Sequence, residues 1–252
     1  MPTLNQRLKA TSLHLCISIA IGLCAAVLMF WLWYPQPYRD ISGGRDLFLL
    51  IIGVDIAIGP LITLAIFNNT KPKRELFMDL SIVAVLQITA LTYGLWTVFV
   101  ARPVHLVFEY SRLTVVHAVD VDASLLRSAP PELRALPLTG PTAIALRPFK
   151  NAQEQLDATM AALGGAPLAA RSDFWQSYEA SVTDILKVAR PAAELQERFL
   201  GEKAKIDSAI AATGLPAGAL RYLPVVGRKD VWTALLDAST AKPVGFLQMD
   251  SF

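Results

Sequence analysis

Three long apolar runs occupy the first hundred positions, and no run of that length recurs afterwards. Leu13 to Tyr34 is 22 residues without a formal charge, Leu47 to Phe67 is 21 residues with one, and Leu80 to Val100 is 21 with none. Each is long enough for a helix crossing the ~30 Å hydrocarbon core of a bilayer. The first run ends in Phe30, Trp31, Trp33 and Tyr34, an aromatic belt suited to a membrane interface. Its core is too long for a signal peptide and no small-residue cleavage site follows, so it reads as an uncleaved first span. Pro35 and Pro37 stop it, and a short loop ending in Ser42 to Asp46 leads into the second run. A polar loop carrying Lys71, Lys73 and Arg74 leads into the third.

Beyond residue 102 the period changes. His105 to Tyr110 and Leu113 to Ala118 are β-branched and aromatic runs flanking Ser111-Arg112, the pattern of a hairpin. Residues 128–141 hold Pro130, Pro131, Pro137, Gly140 and Pro141 and read as loop. Asn151 to Leu163 places Leu156, Met160 and Leu163 on one helical face, closed by Gly164-Gly165. Ser172 or Asp173 caps a second expected helix with Phe174, Tyr178, Val182 and Ile185 on its stripe. A third starts near Pro191, carries Leu195, Phe199, Ile206 and Ile210, is interrupted at Gly201 and ends at Gly214 and Pro216. Leu220 to Val226, Asp230 to Asp237 and Val244 to Met249 read as a closing meander of three strands. The expected fold is an α-helical membrane region over 1–102, with three transmembrane helices at about 13–34, 47–67 and 80–100. A soluble α+β domain over 103–252 follows, its helices packed on one face of an antiparallel sheet.

Charge adds a direction. Residues 1–100 carry 7 Lys/Arg and 5 Asp/Glu, and residues 101–252 carry 16 of each. A neutral second region argues against a nucleic-acid partner, which would call for a basic excess. The basic residues near the N-terminus and in the second loop place both of these in the cytoplasm by the positive-inside rule. Residues 103–252 then lie across the membrane, in the periplasm if the cell is Gram-negative. The two cysteines, Cys16 and Cys24, are about 12 Å apart on one helix, too far to bridge.

The chemistry centres on Asp55. It lies about 12 Å inside the second span by helical rise, and Gly59-Pro60 follow one turn later, where the proline predicts a kink. On the antiparallel third span the same depth falls near Thr92 and Tyr93, with Gln87 more than a turn deeper. Three readings stay open: a protonated Asp55 bonded to Thr92 or Tyr93, a partner helix meeting Asp55, or proton or ion transport, which normally uses more than one such group. In the soluble region His105 and His117 can meet across the hairpin near Asp120 and Asp122, a metal hypothesis that solvated strand residues outweigh. Arg228-Lys229 form a turn, or a contact for an acidic partner. No dinucleotide, phosphate-loop, nucleophile-elbow or zinc-protease motif is present, so no cofactor, metal, small-molecule substrate or enzymatic activity is expected.

Three stretches carry a family resemblance: GGRDLFLLIIGVDIAIGPLITLAIFN at Gly43 to Asn68, YGLWTVFVARPVHLVFE at Tyr93 to Glu109, and LRYLPVVGRKDVWTALLDASTAKPVGFL at Leu220 to Leu247. Together they resemble the type IV pilin accessory proteins of the TfpX/TfpZ type, most specifically at Arg45, Asp55, Gly59 and Pro60. The resemblance implies a bacterial inner-membrane protein, in contact with membrane lipids and with a major or minor type IV pilin, that stabilises the pilin or helps to assemble it. The family supplies no agreed binding residues, so the candidate contacts, Arg45, Asp55, Gly59, Pro60, Thr92, Tyr93, Arg228 and Lys229, come from the residues themselves. A membrane-anchored periplasmic sensor or transporter component is the alternative.

Overall fold

A computed structural model describes residues 4–68 and 70–252 of the chain. It divides into two compact units, Met1–Arg39 with Gly43–Ala101, and Asp40–Ser42 with Arg102–Phe252.

The first unit is helical. α1 (Leu4–Val27) passes into a π-helical stretch, Leu28–Trp33, and α3 (Gly44–Ile66) and α4 (Lys73–Val100) follow; the single turn α2 (Tyr38–Ile41), which precedes α3, ends in residues that belong to the second unit. Leu4–Trp33, Gly44–Ile66 and Lys73–Val100 are each long and apolar enough to cross a membrane. The first and third helices begin earlier than the apolar runs, because Arg7, Lys9, Arg74 and Glu75 are good helix formers whether or not hydrocarbon surrounds them. α3 is the central rod and packs on both α1 and α4. Small side chains make the close approaches: Ser18, Gly22 and Ala25 are the buried face of α1, and a Cβ on Gly22 would lie 3.0 Å from Ile52. This is how helices associate where apolar burial itself gives no drive.

The second unit is built on one eight-stranded sheet. The hairpin β1 (Pro103–Glu109) and β2 (Arg112–His117) is followed by β3 (Thr142–Leu146), α5 (Ala152–Leu163), β4 (Trp175–Ser177), α6 (Val182–Val188), β5 (Arg190–Pro191), α7 (Ala193–Arg198), α8 (Lys203–Ala212), β6 (Leu220–Val226), β7 (Val231–Asp237) and β8 (Pro243–Leu247). The order is β4-β3-β1-β2-β6-β7-β8, with β5 beside β6. The hairpin and the closing meander are antiparallel, as the alternation implies. The sheet as a whole is mixed, which corrects the antiparallel expectation. β1 pairs β3 in parallel and β2 pairs β6 in parallel. The hairpin sits mid-sheet, so the strands beside it arrive through long crossovers, which parallel pairing needs. β3 is a five-residue stretch inside a proline-rich region and carried too short an alternation to be read.

Two apolar clusters hold this unit. Val104, Val107, Val116, Ile144 and Trp175 form one, and Leu195, Ile206, Leu220, Tyr222 and Leu235 the other, under α7 and α8. The expected second helix from residue 172 is instead a 3-10 turn, the strand β4 and then α6. Its stripe is real, since Phe174, Tyr178 and Ile185 are all buried, but burial along a strand and a helix gives the same residues. The expected third helix breaks between Arg198 and Lys203, around Gly201.

Candidate functional site

Asp55 faces a groove in the helical unit. The groove has a volume of about 1020 Å³ and runs between α3 and α4, from Leu47 and Thr97 at one end to Asn68 and Asp79 at the other. Val54, Ile58 and Leu86 line it and are all exposed. Asp55, Gly59 and Gln87 line its middle.

The side chain that reaches Asp55 is Gln87. Its amide Nε2 lies 3.3 Å from Asp55 Oδ1 and 3.4 Å from the Asp55 carbonyl, the long end for an N–H donor. Gly59 makes this possible, because a Cβ there would lie 1.9 Å from that nitrogen. Among the described residues Asp55 is bonded by Gln87, more than a turn deeper than Thr92 and Tyr93, and by neither of those two. The buried stripe of α4 is Val83, Gly94 and Val98, with Gln87 partly buried one turn from Val83. Gln87 and Gly94 are two turns apart and both meet α3, whereas Thr92 and Tyr93 are exposed, Tyr93 among the residues that line the groove. The same seven-residue spacing was the sequence signal that would have selected Gln87. Its long side chain then covers the extra turn of depth.

Pro60 is buried and α3 runs on through it as helix to Ile66. Gln87 donates beside the turn from which proline removes a hydrogen bond, the kind of polar help a helix needs where no water reaches. On the opposite contact of α3, His14 Nδ1 lies 2.6 Å from Thr63 Oγ1. Arg45 is exposed in the first turn of α3.

In the second unit the two histidines do not converge. The register pairs His105 with Val116 and His117 with Pro103, with an irregularity between. His105 bonds Thr142 Oγ1 at 2.8 Å and meets Trp175 edge-on at 4.6 Å. Burial lowers its pKa to about 4, against a smaller opposing effect of Thr142. His117 lies 3.4 Å from Asp120, whose carboxylate is held at 2.6 and 2.9 Å by Arg228. Burial opposes ionisation of Asp120, but the hydrogen bond from His117 and the Arg228 charge outweigh it and leave its pKa below the usual carboxylate value. Among the described residues no group of three or more His, Cys, Asp or Glu side chains is placed to hold a metal ion. The Lys229 backbone N–H donates to the Ile41 carbonyl at 3.2 Å. Thus the β6–β7 turn that carries Arg228 and Lys229 is tied to Asp120 and Ile41 of its own unit. A smaller cleft of about 360 Å³ lies near β3, lined by His105, Thr142 and Tyr178 with Glu132 and Glu179.

Residues 2–43 match the family described as fimbrial assembly protein FimB. The chain is 33% identical over 234 residues to the fimbrial assembly protein of serogroup I from Dichelobacter nodosus, covering 91% of this chain and 90% of that protein. It is 32% identical over 231 residues to the serogroup E1 protein of the same organism, with the same coverage. The fimbrial assembly protein of serogroups C1 and C2 matches at 35% identity over 113 residues, 45% of this chain and 86% of that protein. No solved structure matches the chain.

Proposed function

The chain belongs to the fimbrial assembly protein family, and on that premise we propose that it is a non-catalytic membrane accessory that stabilises a type IV pilin and helps to assemble it. Likeness to fimbrial assembly proteins over nine-tenths of both chains carries this reading. The three apolar helices support a multi-pass membrane location. The charge pattern supports an inner membrane with the N-terminus in the cytoplasm and residues 103–252 in the periplasm. The resemblance to the TfpX/TfpZ type supplies the finer role, a pilin-specific, chaperone-like factor. A pilin awaiting assembly is a long helix, half in the membrane, with a head outside it. The helical unit would shelter the membrane half and the mixed-sheet unit would contact the head.

Deletion of the gene tests the reading. Fimbriae and the steady-state level of the pilin should both fall and return on complementation. Normal fimbriae and normal pilin in the deletion strain would overturn it. A reporter fused after Phe252 that is active only outside the cytoplasm checks the topology separately.

A further inference from the structure

We propose that the rim of the second unit that carries Val119 and Leu138 rests on the bilayer interface, with both side chains among the lipids; this rests on the membrane reading above. The chain itself fixes which rim faces the membrane. The unit is joined to the apolar helices at two places. Arg102 lies two residues past Val100, the end of α4, and Ser42 lies two residues before Gly44, the start of α3. Both attachments fall at one end of the strands. β1 begins beside Arg102, and its Pro103 pairs with His117 at the end of β2. The Ile41 carbonyl holds the β6–β7 turn, and β6 runs parallel to β2. Lipid therefore adjoins the ends where β2 and β6 finish. The β1–β2 turn stands at the other end, a strand of seven residues or about 23 Å away.

Val119 and Leu138 both belong to that rim. The Ala118 N–H donates to the Arg102 carbonyl at 2.9 Å, and Arg102 Nε donates to the Pro137 carbonyl at 3.2 Å, so each is one residue from a bond to the junction. Val121 and Leu136, two residues from them, pack on the core beneath. The two loops are thus held by their own apolar residues, while Val119 and Leu138 stay 58% and 61% exposed. An exposed Val or Leu elsewhere needs no explanation. Here the pair stands where the chain enters the spans, within reach of interfacial lipid.

That position selects lipid as the occupant. Three spans already hold the unit at the surface, so two side chains suffice where a free domain would need a larger anchor. Charges of both signs share the rim, Arg228 and Lys229 with Asp120, Asp122 and Asp230, so the contact is apolar and asks for no anionic headgroup. A protein partner can approach any exposed surface of the unit, whereas lipid adjoins this rim in every copy.

Spin labels on the full-length protein in a phosphatidylcholine bilayer test this, with Cys16→Ala and Cys24→Ala removing the native thiols. A nitroxide on Val119→Cys or Leu138→Cys should collide more with oxygen, which concentrates in lipid, than with a water-soluble nickel chelate. Tyr110→Cys is the matched control, since Tyr110 is 62% exposed in the β1–β2 turn. The oxygen-to-nickel ratio at Val119 and Leu138 should exceed that at Tyr110 at least about three-fold, because Tyr110 stands beyond an interfacial layer about 5–10 Å deep. Ile88→Cys, exposed on α4, reports the spans themselves. Ratios at Val119 and Leu138 equal to that at Tyr110, with a lipid-like ratio at Ile88, would overturn the docking and leave the membrane reading standing. A water-like ratio at Ile88 would overturn both. Loss of collisions with oxygen and nickel alike at Val119 and Leu138 would put a second copy there in place of lipid, and would overturn the proposal as well.

Discussion

Gln87 reaches across from α4 to Asp55 at 3.3 Å, through space that exists because residue 59 has no side chain. The carboxylate, the glycine and the amide depend on one another. Removing any one changes what the other two meet in the groove.

Gly59→Ala is therefore expected to push the Gln87 amide off Asp55. The clash is with the tip of a flexible side chain, so the backbone of α3 need not shift. The loss should be about 1 kcal/mol, the scale of an interhelical hydrogen bond in a membrane. Gln87→Ala should cost about as much. The double variant should be no less stable than Gln87→Ala alone, because the shortened residue 87 leaves the new methyl nothing to strike. Thermal unfolding of the three variants in detergent micelles checks this. Additive losses would assign the glycine to some other contact.

Tyr34 closes the helical unit at its other end. It is fully buried, and its hydroxyl donates to the Val98 carbonyl at 3.1 Å. Tyr34→Phe keeps the ring and removes the bond, with an expected loss of about 1 kcal/mol. Tyr34→Ala also empties the space the ring fills and should cost about 3 to 5 kcal/mol. Comparing the two unfolding midpoints separates the hydroxyl from the packing.

Much of this was legible along the chain, and what was not has physical causes. The helices of the first unit announce themselves because twenty consecutive apolar residues suit a bilayer span and little else. The β1–β2 hairpin and the β6–β8 meander show through alternation and turn residues. β3 did not, because five residues carry too little pattern, and with it went the mixed character of the sheet. For Asp55, rise per residue pointed to the level of Thr92 and Tyr93, whereas its bond comes from Gln87, whose long side chain covers the extra turn. The rotation of α4, which decides between Gln87 and Thr92, follows from the buried stripe through Val83, Gly94 and Val98. Arg228 read as a turn residue or a partner contact. Its ion pair with Asp120, 108 residues earlier, is set by the parallel pairing of β2 with β6, which the sequence does not display.

His105 sets a pH dependence. Its ordinary pKa is 6.5 and burial lowers it to about 4. Above pH 6.5 the imidazole is neutral in folded and unfolded chains alike. As pH falls from 6.5 towards 4 the unfolded chain takes up a proton that the folded one excludes, so stability declines through that window, by about 3 kcal/mol at most. Glu154 and Asp237, both held at about 2 by hydrogen bonds led by Arg147 and Ser239 respectively, lose their contributions as pH falls from their ordinary values of 4.5 and 3.8 towards 2. His105→Asn should flatten the slope between pH 6.5 and 4.5 while leaving the more acidic loss in place. Unfolding of the full-length protein followed by tryptophan fluorescence at a series of pH values measures it.

The β6–β7 turn gives the sharpest contrast between neighbours. Arg228 is exposed and its ion pair with Asp120 is partly solvated, so Arg228→Ala should cost less than about 1 kcal/mol. Gly227 has no such latitude. A Cβ there would lie 2.3 Å from Ile41 Cγ2, 2.5 Å from the Ile41 carbonyl oxygen and 2.9 Å from the Asp230 carbonyl oxygen. Two of the three obstacles are backbone, and Lys229 donates to the same Ile41 carbonyl. Gly227→Ala should therefore cost about 3 kcal/mol, the upper range for overpacking. Ile41→Ala removes only the Cγ2 obstacle, so the pair Ile41→Ala and Gly227→Ala should stay as unstable as Gly227→Ala or become worse. Recovery of stability in that pair would show that the Ile41 side chain, and not its backbone, dictates glycine at position 227.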